Sequence, residues 1–322
     1  MSSYDLKDYL NDALERLYSP EPSSIHDGLQ RLDALLGQLC LAKSSSSPTS
    51  ASSSSSSSLS STLNSTTKIH SNSTYNTNNK SNISNMLNNQ SHKLWRVPTI
   101  DDPIFGKFIK LQDTFEYNVA SAIISCLFRM NLNNNLISMK NDYPQEFIIL
   151  AHKVLQGVLL LHPNSRNLFN RECNMKLLLS YLNYSPKNKY QPLVITTAIQ
   201  TLVCSLVRSI KNLRNFEKFD GIKIICNLFV KKSTNKEIKV KILEFLFFYL
   251  IPETSFNIEK SFEMNLNESY ILNQSKVLYK DGLIRRTMEE KAGILKQYIR
   301  NVDAIVHELI SSKPFGNMEI EW

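Results

Sequence analysis

Ser165-Arg166-Asn167-Leu168-Phe169 and Asn212-Leu213-Arg214-Asn215-Phe216 are two versions of one phrase, with Phe169 and Phe216 in register at an offset of 47. The match continues at that offset: Met175 falls on Ile222, Leu177 on Ile224, Leu178 on Ile225 and Leu182 on Phe229. Further on, Ile199, Leu202 and Leu206 match Leu243, Leu246 and Leu250 at an offset of 44. The first copy therefore holds three extra residues, which the reading places in the polar loop Tyr184-Ser185-Pro186-Lys187-Asn188-Lys189. A period of ~40–47 residues is that of armadillo and HEAT units, whose helices bury their apolar faces only against neighbouring units. The stretch from Leu160 to Pro252 thus predicts an all-α fold, an armadillo/HEAT-like helical repeat superhelix.

Composition supports a helical scaffold and excludes several enzyme classes. The chain has 322 residues, 42% of them apolar, enough for a sizeable core. With only 8 glycines it is poorly supplied for the phosphate-cradling loops and tight turns of nucleotide-binding α/β enzymes. Cys40, Cys126, Cys173, Cys204 and Cys226 stand far apart, without the spacing of a structural zinc site. Four of them lie in apolar helical patterns, where a cysteine acts as a small hydrophobe. Their odd number and the lack of a signal peptide point to a reducing, cytoplasmic setting. The most apolar run, Leu243 to Ile251, is short, contains Glu244 and stops at Pro252, so no membrane insertion is expected.

Outward from the doubled unit, residues 1–43 predict an N-terminal helical hairpin that belongs to the main fold. Leu6, Leu10, Ala13, Leu14 and Leu17 line one helix, which Ser19-Pro20 ends; Ser24, with Asp27 three residues on, is read as the cap of the next. Residues 44–93 are rich in Ser, Asn and Thr and cannot bury enough apolar surface to offset ~1–2 kcal/mol of backbone entropy per ordered residue. They are predicted to be a disordered insertion, with the helices on either side packing together across it. Residues 94–316 are read as the armadillo-like helical domain with a C-terminal capping helix. Asp102-Pro103 opens a long apolar-periodic segment from Phe105 to Leu127, and a second helix runs from Pro144 to His162-Pro163 with nearly every face apolar, as befits a central position. Asp281-Gly282 is compatible with a hairpin or a loop, and one last helix spans Thr287 to Ser311.

A search for chemistry finds no convergent set. The sequence holds no Gly-rich nucleotide loop, no His-Glu-x-x-His and no nucleophile elbow, and no histidine directly precedes a cysteine. His162 sits at a helix end, where a capping or packed surface residue and a functional contact are both open readings; His152 and His307 lie within helices, have no partner at metal spacing and are read as structural. No catalytic residue, cofactor or metal is expected.

Charge is more informative. Residues 206–241 hold ten basic side chains (Arg208, Lys211, Arg214, Lys218, Lys223, Lys231, Lys232, Lys236, Lys239, Lys241) against Glu217, Asp220 and Glu237. That concentrates nearly the whole formal net charge of +8. Three readings are open: a solvated helix face, a docking surface for an acidic protein segment, and a nucleic-acid-binding surface. Phe216, Phe219 and Phe229 fall on the apolar face rather than among the lysines, which disfavours a base-stacking platform. Arg208, Lys211, Arg214 and Lys218 are the candidate partner-binding residues.

Five stretches stand out in order: GLQRLDALLGQLC at Gly28 to Cys40, FIKLQDTFEYNVAS at Phe108 to Ser121 and LHPNSR at Leu161 to Arg166. KVKILEFL at Lys239 to Leu246, running on to YLIPET at Tyr249 to Thr254, and Glu290-Lys291 through Asn301-Val302 to Pro314-Phe315-Gly316 complete the series. Together they resemble the fungal cell division control protein 14 family, the septation initiation network component that is distinct from the phosphatase of the same name. The resemblance implies a non-catalytic partner of a germinal-centre-type protein kinase and of other septation network components. It implies action at the spindle pole body that promotes septum formation and cytokinesis. A basic helical-repeat nucleic-acid-binding protein is the alternative.

Overall fold

The computed structural model describes residues 3–41, 98–135, 143–182, 192–253, 282–312 and 314, and among them every regular element is a helix. The expected Ser/Asn-rich insertion, the loop Tyr184 to Lys189 and the hairpin at Asp281 lie outside the described residues. The chain divides into Met1–Leu39 with Thr99–Trp322, and Cys40–Pro98; of the second unit only residues 40, 41 and 98 are described.

Helices α1 (Ser3–Tyr18) and α2 (Pro22–Cys40) form the first pair. Leu6, Leu10, Leu14 and Leu17 of α1 are buried, as are Leu29, Leu32, Leu36 and Leu39 of α2, because their spacing puts each set on one helix face. The helices approach closely at Gly28, where an added Cβ would lie 2.8 Å from the Ala13 carbonyl oxygen. Arg16 and Arg31 alternate with Asp12 and Asp27 across the pair at 2.8–3.1 Å. All four are more than a third exposed, so this lattice sets alignment more than stability. Helix α2 starts at Pro22 rather than after Ser24: proline at the first helical position already fits the backbone, and Ser24 lies inside the first turn.

The next segment departs from the single long helix expected between Phe105 and Leu127. It is two helices, α3 (Pro103–Gln112) and α4 (Val119–Asn135). Asp102 caps α3 through the Ile104 N–H, with Pro103 behind it, as read. The buried Gln112 side chain then ends α3 by donating to Tyr117 O (3.1 Å) and accepting from the Val119 N–H (2.9 Å). Asn118 caps α4 through the Ser121 N–H, and Phe115, in the turn, is 94% exposed. Helix α1 packs on α3 and α4, and Arg129 of α4 donates to Ser19 O at the end of α1.

Helix α5 (Gln145–Leu161) lies between α4 and α7 (Pro192–Leu206), and α7 lies between α5 and α10 (Lys236–Leu250). These four make a row, and α5 is central as its all-round apolar sequence predicts. The doubled pattern resolves into a repeated order of three elements. The 3-10 helix Pro163–Asn170, α6 (Glu172–Ser180) and α7 form the first set. Helices α8 (Ile210–Lys218), α9 (Gly221–Val230) and α10 form the second. Helices α7 and α10 are both 15 residues long and begin and end at the offset of 44. Helix α5 begins 47 positions before α7, one more step of the same period that the sequence reading did not pick out.

Side chains tie off the helix ends, whose last carbonyls have no partner within the helix. Arg166 donates from Nε to Leu159 O and from Nη1 to Val207 O, both at 3.0 Å, joining the ends of α5 and α7. Asn212 Nδ2 donates to Arg166 O (2.8 Å) and Ser205 O (2.7 Å), binding the second set to the first.

The expected last helix is also two, α11 (Met288–Lys296) and α12 (Val302–Ser312), both packed on α10. Thr287 and Glu290 form a reciprocal capping box at the start of α11. The break at 297–301 shifts the buried face of α12 to Val302, Ile305 and Leu309, leaving Val306 half-buried.

Candidate functional site: the basic surface of the doubled unit

Helix α8 begins at Ser209, whose hydroxyl accepts from the Asn212 N–H, and buries Leu213 and Phe216. Lys211 and Lys218 stand on its exposed side, and Arg208 is exposed in the turn before it with φ at 55°. Arg214 does not join them: its side chain is 18% exposed and its guanidinium pairs with Glu217 and Glu253. The four residues singled out from sequence therefore divide into three surface cations and one internal brace.

The brace is part of a cluster that fastens the C-terminal helices to α8 and α10. Arg214 Nη1 bonds Glu217 Oε2 at 2.6 Å, and Arg286 pairs with the same carboxylate. Tyr249 OH donates to Glu217 Oε1 at 2.9 Å. Glu253 accepts from Arg214, from the Arg286 N–H and from Lys291. Lys291 Nζ also donates to Ile251 O at 2.6 Å. Burial drives the Lys291 pKa down to about 8 against the opposing pull of Glu253. Burial also raises the Tyr249 hydroxyl, and the Glu217 carboxylate adds to it.

Phe219 packs against the core, as the sequence reading has it, but it also lies among lysines, which that reading did not expect. Lys176 Nζ lies 5.4 Å and Lys218 Nζ 5.6 Å from its ring centroid, so two lysines bracket a half-buried aromatic ring. Phe219 forms one wall of a groove of about 560 Å³ between α6 and α9, with Leu179, Leu182, Ile224 and Leu228 as its apolar lining and Lys176 and Lys231 at its polar edge. Sequence reasoning missed Lys176, because it belongs to the first copy and pairs locally with Glu172. The 47-residue offset, which lays α6 over α9, is the signal that brings it in.

Two histidines and three cysteines are packed away from solvent to differing degrees. His152 is fully buried; Thr201 Oγ1 donates to Thr197 O, so it accepts from His152 Nδ1 (3.0 Å) and from Gln156 Nε2 (3.0 Å). That fixes a neutral ring protonated at Nδ1, and burial lowers its pKa to about 3. His162, 3% exposed, lies between Ser165 Oγ (2.8 Å) and Asp113 Oδ1 (3.0 Å). Burial pushes Cys126 and Cys204 up to about 11 and Cys226 to about 12, keeping all three as thiols at neutral pH. Among the described residues no group of three or more His, Cys, Asp or Glu side chains could hold a metal ion, and no single helix is long and apolar enough to cross a membrane.

Fold and site together define an all-α protein with a basic, apolar-lined groove on its surface. The model of the family described as Cell division control protein 14, SIN component, matches residues 6–315, and the chain belongs to that family. It is 29% identical over 226 residues to the "Cell division control protein 14" of Schizosaccharomyces pombe, a match covering 69% of this chain and 83% of that protein. No solved structure matches the chain.

Proposed function

We propose that this chain is a non-catalytic adaptor of the septation initiation network. It binds a germinal-centre-type protein kinase and works with other network components to promote septum formation and cytokinesis. In this reading the repeated three-element sets form an armadillo-like superhelix, and the protein is cytoplasmic with recruitment to the spindle pole body. Family membership supports the setting in cell division. The observation that carries the docking role is Phe219 between Lys176 and Lys218 on an apolar-lined groove. An aromatic wall with cations at its edge suits an acidic segment that inserts an apolar side chain.

The test is purification of the tagged protein from dividing cells, with identification of co-purifying proteins and a kinase assay. Recovery of a germinal-centre-type kinase in near-equal amount is expected. Reversing Lys176, Lys211 and Lys218 to glutamate lowers that recovery without unfolding the protein. Arg214 is left intact, because its reversal breaks the internal cluster. Recovery of nucleic acid with no kinase overturns the reading.

A further inference from the structure

The LHPNSR stretch leads to a second place on the surface, independent of the adaptor reading. A cavity of about 490 Å³ opens between the end of α5, the 3-10 helix and the turn from α7 to α8. Its lining includes Arg166, Arg208, Asn164, Asn167, Ser209 and Leu160. Arg166 is 8% exposed, and its two described hydrogen bonds go to neutral carbonyls, Leu159 O and Val207 O. Neither Arg166 nor Arg208 has a carboxylate within ion-pair distance among the described residues. Asp113, the acidic residue on this side, is engaged by His162 Nε2 (3.0 Å) and Asn164 Nδ2 (3.3 Å) and does not line the cavity.

A buried guanidinium is ordinarily paired, because an uncompensated charge away from water is costly. Here burial works against the charge of Arg166, Cys204 pulls the other way, and the nearby Arg208 charge adds to the effect of burial. Arg208 itself sits in the left-handed region at φ 55°, a conformation disfavoured for any side chain larger than glycine and concentrated at functional positions. An anion in the cavity would relieve both charges at once. Two guanidiniums, the Asn167 amide and the Ser209 hydroxyl offer donors from several directions, which suits the tetrahedral oxygens of a phosphoryl group better than the planar pair of a carboxylate. The half-exposed Leu160, 56% accessible, gives an apolar neighbour for whatever bears the group.

We propose that this cavity binds a phosphate monoester, with Arg166 and Arg208 holding the phosphoryl oxygens. The probe is a capped tripeptide with phosphoserine at its centre and leucine beside it, followed by 31P NMR line broadening against the full chain. Binding to the wild type is expected, competed by inorganic phosphate at higher concentration. It weakens at least tenfold in Arg208→Ala, whose side chain is exposed, and also in Arg166→Lys. Lys232→Ala, an exposed lysine elsewhere in the basic stretch, is expected to bind as the wild type does. Equal binding by wild type and Arg208→Ala overturns the proposal. So does equal binding of the same tripeptide with glutamate in place of phosphoserine, which would mark a carboxylate site. If inorganic phosphate alone binds as tightly as the tripeptide, the cavity does not recognise an ester and the proposal is likewise overturned.

Discussion

Lys291 Nζ lies 3.0 Å from Glu253 Oε1, and neither side chain exposes any surface. A buried pair of this kind stabilises little relative to an apolar replacement, but losing one partner leaves the other charge stranded. Glu253→Ala is therefore expected to cost about 3–5 kcal/mol in urea denaturation, since it strands Lys291 and takes from Arg214 one of its two carboxylate partners. A double-mutant cycle of Glu253→Ala and Lys291→Met checks this: the double variant should lose less than the sum of the singles, and additive losses would mean the two groups are energetically independent.

The same lysine has a pH signature. The unfolded chain holds this proton to the ordinary lysine value of 10.5, whereas the folded chain releases it near 8. Between those values the unfolded state binds more protons, so this group's contribution to stability rises as pH climbs from about 8 to 10.5. Heteronuclear NMR of the lysine ammonium groups should show one lysine titrating near 8, absent in Lys291→Met.

His152 works at the other end of the scale. Its folded value of about 3 lies below the ordinary 6.5, so the stability it contributes is present above 6.5 and lost as pH falls towards 3. Within that window the loss is about 1.4 kcal/mol per pH unit. The unfolding free energy of the wild type minus that of His152→Leu, followed from pH 7 to 4, should decline; a flat difference would mean the ring takes up its proton in the fold as readily as in the unfolded chain.

Gly28 is set by contact rather than by backbone angle. A methyl group there meets Ala13 O at 2.8 Å and Arg16 Cβ at 3.0 Å, and a carbonyl in a helix cannot easily give way. Gly28→Ala is expected to cost about 1–3 kcal/mol through overpacking, although alanine is the better helix former. Thermal unfolding would expose an error in this assignment if the variant gained stability.

Arg208 makes the opposite case. Its left-handed backbone at φ 55° is one that glycine adopts freely, so Arg208→Gly is expected to raise stability by up to about 1 kcal/mol. The same substitution should abolish tripeptide binding. Loss of stability would assign the arginine side chain to folding.

Much of this fold is legible from spacing alone. The offset that aligns Leu202 with Leu246 and Leu206 with Leu250 pairs helices of equal length, and all four of those leucines are buried. Periodicity fails where side chains, not proline, end a helix. Phe115 keeps the phase of Leu111 yet is exposed, because Gln112 turns its amide onto Tyr117 O and Val119 N and stops the chain there. Asn118, a good capping residue, is the cue that was available. The candidate site was harder. Counting charges along the chain groups Arg214 with Lys211 and Lys218, whereas its partner Glu253 is 39 positions away, and Glu217 meets Arg286 across 69. No local window contains that information.

The clasp between Glu253, Arg214 and the C-terminal residues also fixes an order of events during synthesis. Helices α8 and α10 leave the ribosome before Arg286 and Lys291 are made, so Glu217 and Glu253 emerge without two of their cations. The nascent chain can stack its earlier helices as they appear. Its polar seam closes only once Arg286 and Lys291 have followed, and a transcript truncated after Pro252 would yield a chain that never completes it.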